Sequence, residues 1–248
     1  MARVILSGLT AAGKTTHTAL LAKHLGYDSV HITDLLLAEL GGGFGPSTGV
    51  WFHRMAEIES LRDGGDADDR VDRILADTMR NRDGVVVDAW ALPWYCREPA
   101  IRIWIGSDRI SRSWKCAVSS PAEVALGPTG CARLVDEKDW LTRQRFLSRY
   151  GFDIFADRDV FDFVLDNSHL IDAPTRASAD AGINKFHRVL TACVEAGISG
   201  DPEPLRALVN DADPALRSCV VRVGGPCGAR WRSRDQKNCA PMVPSRAI

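Results

Sequence analysis

Near the start of the chain, Gly8-Leu9-Thr10-Ala11-Ala12-Gly13-Lys14-Thr15-Thr16 sets two glycines, a lysine and paired hydroxyls at the spacing GxxxxGK[ST]. Each position has a physical use. Gly8 and Gly13 permit backbone geometry and close approach that a side chain would block, so successive N–H groups, those of Ala11 and Ala12 among them, can turn toward phosphate oxygens. Lys14 can then reach the β- and γ-phosphates as a point charge, the Thr15 hydroxyl suits Mg²⁺, and Thr16 supports the α-phosphate from the first helical turn. The chemistry implied is binding of ATP with Mg²⁺.

Two acids and a basic stretch complete the candidate set. Asp88, at the end of VVVD, can organise magnesium or its water shell, or can simply cap the loop that follows. Asp34 can cap a short helix or, like Asp88, accept the proton of an attacking hydroxyl. Arg109, Arg112, Lys115, Arg133, Lys138, Arg143, Arg145 and Arg149 crowd residues 107 to 150. Phosphoryl transfer needs cations on the migrating group and exclusion of water, although solvated helix faces carry arginines too.

These residues need a scaffold. The run ARVILSG stops at glycine like a buried parallel strand, and the apolar spacing from Lys14 to Leu25 predicts the helix that must follow the loop. SVHIT, GVVVDAW, IRIWIG and FDFVLDNS read as four further strands, separated by helical stretches near 34–40, 51–62, 67–82 and 107–150 and followed by one from about 174 to 195. Strands alternating with helices predict an α/β fold with a parallel five-stranded sheet covered on both faces. The phosphate-loop domain is expected over 1–197, with an acceptor-binding region at about 34–82 and a lid at about 107–150. GGGFGPSTG at 41–49 reads as a connector. Residues 198–248 are expected to form a partly disordered extension with a short helix near 203–210.

Composition narrows the classes. The 248 residues are 45% hydrophobic and 25% charged, with a formal charge of −1, which suits an ordinary globular chain and disfavours a chain-wide nucleic-acid surface. No apolar run approaches the ~20 residues a membrane span needs, and the first residues are too soon broken by glycine for a secretory signal; a cytoplasmic location is expected. The seven cysteines lack zinc spacing and read as free thiols. Cations from Arg217 onward, opposed by Asp235 alone, read as a solvated tail.

Taken in order, VILSGLTAAGKTTHTALLAKHLGY, the Asp34 turn, DADDRVDRILADTM before GVVVDAWALPW, IRIWIG, and RQRFLSRYGFDIFADRDVFDFVLDNS resemble the nucleoside monophosphate kinases, most nearly the compact cytidylate kinases of archaeal type. That resemblance covers roughly residues 3 to 195. It implies ATP bound at Lys14, Arg145 as the lid arginine on the transferring phosphates, adenine near Asn167, and a small-molecule phosphate acceptor. There are departures. Asp88-Ala89-Trp90 stands where the family has an arginine after the central strand, aliphatics follow Asp34 where another arginine is expected, and Asp136 and Lys138 lie near the positions of paired lid arginines. Trp90, Trp94 and Tyr95 can stack an acceptor ring or serve as packing, and Trp51, His53 and Arg54 can replace the lost clamp. Transfer to a nucleoside monophosphate leads; a hydroxyl kinase and a non-catalytic nucleotide binder are the alternatives.

Overall fold

The computed structural model describes residues 1–41, 50–121 and 126–224, without the side chains of Phe52 and His53. Most of the 41–49 connector, His53 as a phosphate clamp, and the basic tail beyond Gly224 therefore lie outside the described residues.

The sheet is built from short apolar runs. Five strands, β1 (Arg3–Gly8), β2 (Asp28–His31), β3 (Val85–Asp88), β4 (Ile101–Gly106) and β5 (Phe163–Asp166), are joined by a sixth, β6 (Val220–Val223), in the order β2-β3-β1-β4-β5-β6. The first five are parallel. In β1 and β3 the residues Val4 to Leu6 and Val85 to Val87 are solvent-free, as expected of central parallel strands whose two faces are both covered. The expected five-stranded sheet is thus present but widened: β6 pairs antiparallel with β5 through Phe163 and Val223. Short and only half-buried, Val220–Val223 carries no alternation strong enough to mark a strand in advance.

Helices α1 (Lys14–Leu25), α2 (Ile32–Glu39), α3 (Val50–Arg62), α4 (Asp66–Asn81), α5 (Leu92–Tyr95), α6 (Arg109–Ser119), α7 (Pro128–Tyr150), α8 (Arg176–Ser199), α9 (Glu203–Val209) and α10 (Pro214–Arg217) cover the sheet. In α4, three aspartates in the first turn complement the helix dipole, while Ala67, Val71, Leu75 and Met79 recur every four residues on its buried face. Asp108 caps α6 by accepting the Ser111 amide at 2.7 Å. Asp34 does not cap its helix: α2 starts two residues earlier, at Ile32, because Ile32, Leu36 and Leu37 share the buried face, and Asp34 stands exposed in the first turn.

The sheet divides two cores. One joins Val4, Leu6, Ile103 and Phe163 to α8 and also takes in Leu205, Leu208, Leu216 and Cys219; the other joins Ile5, Val87 and Trp104 to α3, α4 and the end of α7. The segment after 198, set apart by its composition, therefore contributes to the same core as the rest of the chain up to Gly224. Among the described residues no helix is long and apolar enough to cross a membrane.

Candidate active site

The phosphate end is made where β1 runs into α1. Ala11 (φ 59) and Gly13 (φ 101) adopt left-handed conformations on either side of Ala12, which curls the loop so that its amides converge. At Gly8 the constraint is space: a Cβ there would sit 2.4 Å from the Ile105 carbonyl oxygen on β4. The loop is also tied to its surroundings. The Asn167 side-chain amide donates to the Ala12 carbonyl at 3.0 Å, and Lys115 donates to the other end of Asn167 at 2.5 Å. Asp139 on α7 accepts the Thr10 amide at 2.9 Å, while Arg112 on α6 pairs with Asp139 and donates to the Thr10 carbonyl at 3.2 Å. Both helices of the expected lid region thereby touch the loop.

Inside this frame Lys14 is buried, its ammonium donating to the Leu9 carbonyl at 3.0 Å. Burial pushes its pKa down, Arg112 adds to that, and Asp88 and Asp139 oppose it. The Thr15 hydroxyl donates to Asp88 Oδ2 at 2.6 Å. Burial alone would raise the Asp88 pKa; His31, Lys14 and Thr15 together outweigh it and hold the carboxyl below its ordinary range. His31 Nδ1 lies 3.7 Å from Asp88, an ion-pair distance rather than a hydrogen bond, and the carboxylate raises the imidazole pKa. The other carboxylate oxygen, Oδ1, is buried without a hydrogen-bond partner among the described residues. An alcohol oxygen beside an ionised, half-satisfied carboxylate is a donor set that fits Mg²⁺, which prefers few protein oxygens and completes its shell with water and phosphate. Among the described residues no cluster of three or more His, Cys, Asp or Glu forms a separate metal site.

A cavity of about 540 Å³ extends from this point in two directions. Toward α8 it is lined by Leu170, Ala179, Ile183 and Phe186, an apolar slot of the kind that takes a flat ring. In the other direction it reaches Trp51, Trp90 and Lys138.

Ala11, Ala12, Gly13, Lys14, Thr15, Thr16, Asp88 and Asn167 all line this one cavity, whereas Asp34 and Arg145 do not. Arg145 faces α3 and the turn into α4, pairing with Glu59 at 2.8 Å and Asp63 at 3.3 Å and donating to the Arg62 carbonyl at 3.1 Å. It sits two helical turns along α7 from Lys138, which does reach the cavity. Most neighbouring cations are likewise occupied by carboxylates: Arg109 by Asp136, Arg143 by Asp153, Arg149 by Asp69 and Asp72. Trp94 and Tyr95 are packing. Trp94 stacks on Phe152 with centroids 4.1 Å apart, and Tyr95 donates to Asp72 at 2.8 Å. Arg54 is half-buried and paired with Glu57. His31, Asp139 and the clamp on Thr10 carried no sequence signal, since each acts through a contact between distant segments.

No protein-family model matches the chain. Curated relatives do. It is similar to a cytidylate kinase of Pyrobaculum aerophilum, 31% identical over 182 residues that span 73% of this chain and 92% of the relative. A cytidylate kinase of Pyrobaculum neutrophilum is 32% identical over 184 residues, 73% of this chain and 92% of that one; one of Natronomonas pharaonis is 26% identical over 190, covering 74% and 90%. Among solved structures, a shikimate kinase from Bacteroides thetaiotaomicron superposes with a TM-score of 0.48 at 12% identity, covering 76% of this chain and 98% of that one.

Proposed function

The chain belongs to the cytidylate kinase family and is a P-loop phosphotransferase, and from that premise we propose that it transfers the γ-phosphoryl group of ATP to a nucleoside monophosphate of the cytidine class. The observation that carries this reading is the convergence of Lys14, Thr15 and Asp88 at the middle of one cavity, with an apolar slot on one side and an aromatic, cationic recess on the other. A donor and an acceptor entering from opposite ends would meet at Lys14.

In this mechanism the loop amides and Lys14 hold the donor's phosphates, and the slot between α1 and α8 holds its base. Thr15 and Asp88 are the residues to hold Mg²⁺, which when bound neutralises charge on the phosphate oxygens. An oxygen of the acceptor phosphate forms the new bond to phosphorus as the bond to the departing diphosphate breaks. That oxygen is already ionised near neutral pH, so no protein base is required. Arg112 and Asp139 keep α6 and α7 against the loop and so exclude water from the transferring group.

One observation favours a second reading. Arg62, nearest the recess, is occupied by Glu59 and Asp68, and Arg145 by Glu59 and Asp63, so the described arginines there are not free to grip a phosphate, and a hydroxyl acceptor with Asp88 as base would need none. ADP release from ATP and Mg²⁺ with CMP, dCMP, UMP, AMP, cytidine and sugar alcohols separates the two. Turnover confined to CMP-like acceptors, abolished in Lys14→Ala, supports the first; turnover confined to unphosphorylated alcohols sinks it.

A further inference from the structure

Lys138 is buried, with 6% of its surface exposed, yet its ammonium has no hydrogen-bond or ion-pair partner among the described residues. It lies 3.6 Å from the centroid of the Trp51 ring and 5.4 Å from that of Trp90, and it lines the cavity. An ammonium largely withdrawn from water is destabilised unless something replaces its hydration, and cation–π contact replaces only part of it. Its nearest charges make matters worse. Burial pushes the Lys138 pKa well down, and Lys14 and Arg62 push it further, with Asp139 and Glu59 opposing only in part. Two buried lysines thus face one space, and the carboxylates nearby are committed elsewhere: Glu59 to Arg62 and Arg145, Asp139 to Arg112 and Thr10. Such an arrangement is stabilised when an anion enters between them, because one anion relieves both the desolvation of Lys138 and its repulsion from Lys14.

The position says which anion. Trp51 comes from α3 and Trp90 from the turn after β3, and both belong to the core on one side of the sheet, whereas Phe186 and Leu170 of the slot belong to the core on the other. Lys14 serves the donor's phosphates, so the group held by Lys138 is on the opposite reactant. We propose that Lys138, supported by the ring faces of Trp51 and Trp90, binds the phosphate oxyanion of the acceptor and makes the enzyme select a phosphorylated acceptor over its unphosphorylated counterpart. The assignment rests on the monophosphate-kinase reading and names the group that enforces it. Arg62 also lies against Trp90, its guanidinium 5.4 Å from that ring, and is itself neutralised by Glu59 and Asp68, so it packs the indole without competing for the anion.

The test is calorimetric binding of CMP, cytidine and ATP to the full chain, with turnover measured in parallel, for wild type, Lys138→Met, Lys138→Arg and Trp51→Leu. Losing a charged hydrogen-bond donor weakens CMP about 10- to 100-fold, while cytidine and ATP bind as before; Lys138→Arg retains the preference for CMP over cytidine, and Trp51→Leu falls between. Lys138→Met folds with a melting temperature no lower than wild type, since a methionine of similar length replaces an unpaired buried charge; should it fail to fold, the arginine and Trp51 variants carry the same comparison. A wild type that phosphorylates CMP alongside a Lys138→Met variant with unchanged CMP affinity overturns the Lys138 assignment and leaves the monophosphate reading standing. Equal weakening of ATP and CMP overturns it as well, by moving Lys138 to the donor. A wild type with no preference for CMP over cytidine and turnover of an alcohol overturns the monophosphate reading itself, and this assignment with it.

Discussion

Asp88→Asn removes one negative charge from the centre of the cavity at almost constant volume. In the fold that carboxylate is buried, accepts the Thr15 hydroxyl at 2.6 Å, pairs with His31 at 3.7 Å and offsets the charge of Lys14. A hydrogen bond to a charged group contributes about 1.5–3 kcal/mol against ~0.5–1.5 for a neutral one, so the Thr15 contact weakens by roughly 1 kcal/mol. Leaving Lys14 without its buried counter-charge adds a comparable amount. Together these lower the melting temperature by about 4–8 °C for a chain of this size. Activity falls further than stability, because loss of one preorganised electrostatic contact reduces kcat by about 10²–10³-fold. The loop amides and Lys14 remain, so the KM for ATP changes by less than about fivefold. Steady-state ADP release across a Mg²⁺ titration, with calorimetry on the same samples, reads all three quantities, and the variant needs more Mg²⁺ for half-maximal rate. A variant with kcat within about threefold of wild type and an unshifted Mg²⁺ dependence would refute the reasoning and reduce Asp88 to a cap on the turn after β3.

Three other perturbations probe the frame. In Gly8→Ala the new methyl meets the Ile105 carbonyl oxygen at 2.4 Å, between two hydrogen-bonded central strands that cannot yield; about 3 kcal/mol is lost, a drop of roughly 6–12 °C, and ATP binding, followed by calorimetry, weakens with it. His17 is buried against Phe186 and His187, and burial, with smaller effects from His187 and Lys115, pushes its pKa down to about 3. The unfolded chain takes up this proton near pH 6.5 while the folded one does not, so the neutral form contributes its full stability above pH 6.5 and loses it as pH falls toward 3, at about 1.4 kcal/mol per pH unit; denaturation curves from pH 7.5 to 5 show this slope in wild type, and its persistence in His17→Gln would disprove the attribution. Leu216→Ala empties a solvent-free position in the core under α8 and costs about 2–5 kcal/mol in urea denaturation, whereas a loss under ~0.5 kcal/mol would mean that the segment after 198 is only a loose appendage.

By itself, the sequence determined the parts whose physics is local. GLTAAGKTT names its own backbone needs within nine residues, and the runs VIL and VVV are apolar on both faces because central parallel strands are buried on both. The loop and the alternation of strand and helix were therefore legible, and Thr15 and Asp88 were each legible as magnesium candidates, but their direct contact, across 73 residues of sequence, was not. Only tertiary structure decided which of many basic residues reach the cavity. Helix spacing puts Lys138 and Arg145 on the same long helix two turns apart, and nothing in their own neighbourhood tells that Arg145 is neutralised by Glu59 and Asp63 while Lys138 stands against two indoles without a counter-ion among the described residues. The same holds for β6, whose four residues become a strand because β5 presents an open edge. A phosphate loop is a property of consecutive residues, whereas the availability of a charge depends on which distant partners the fold brings within reach, and that is settled only when the chain has closed on itself.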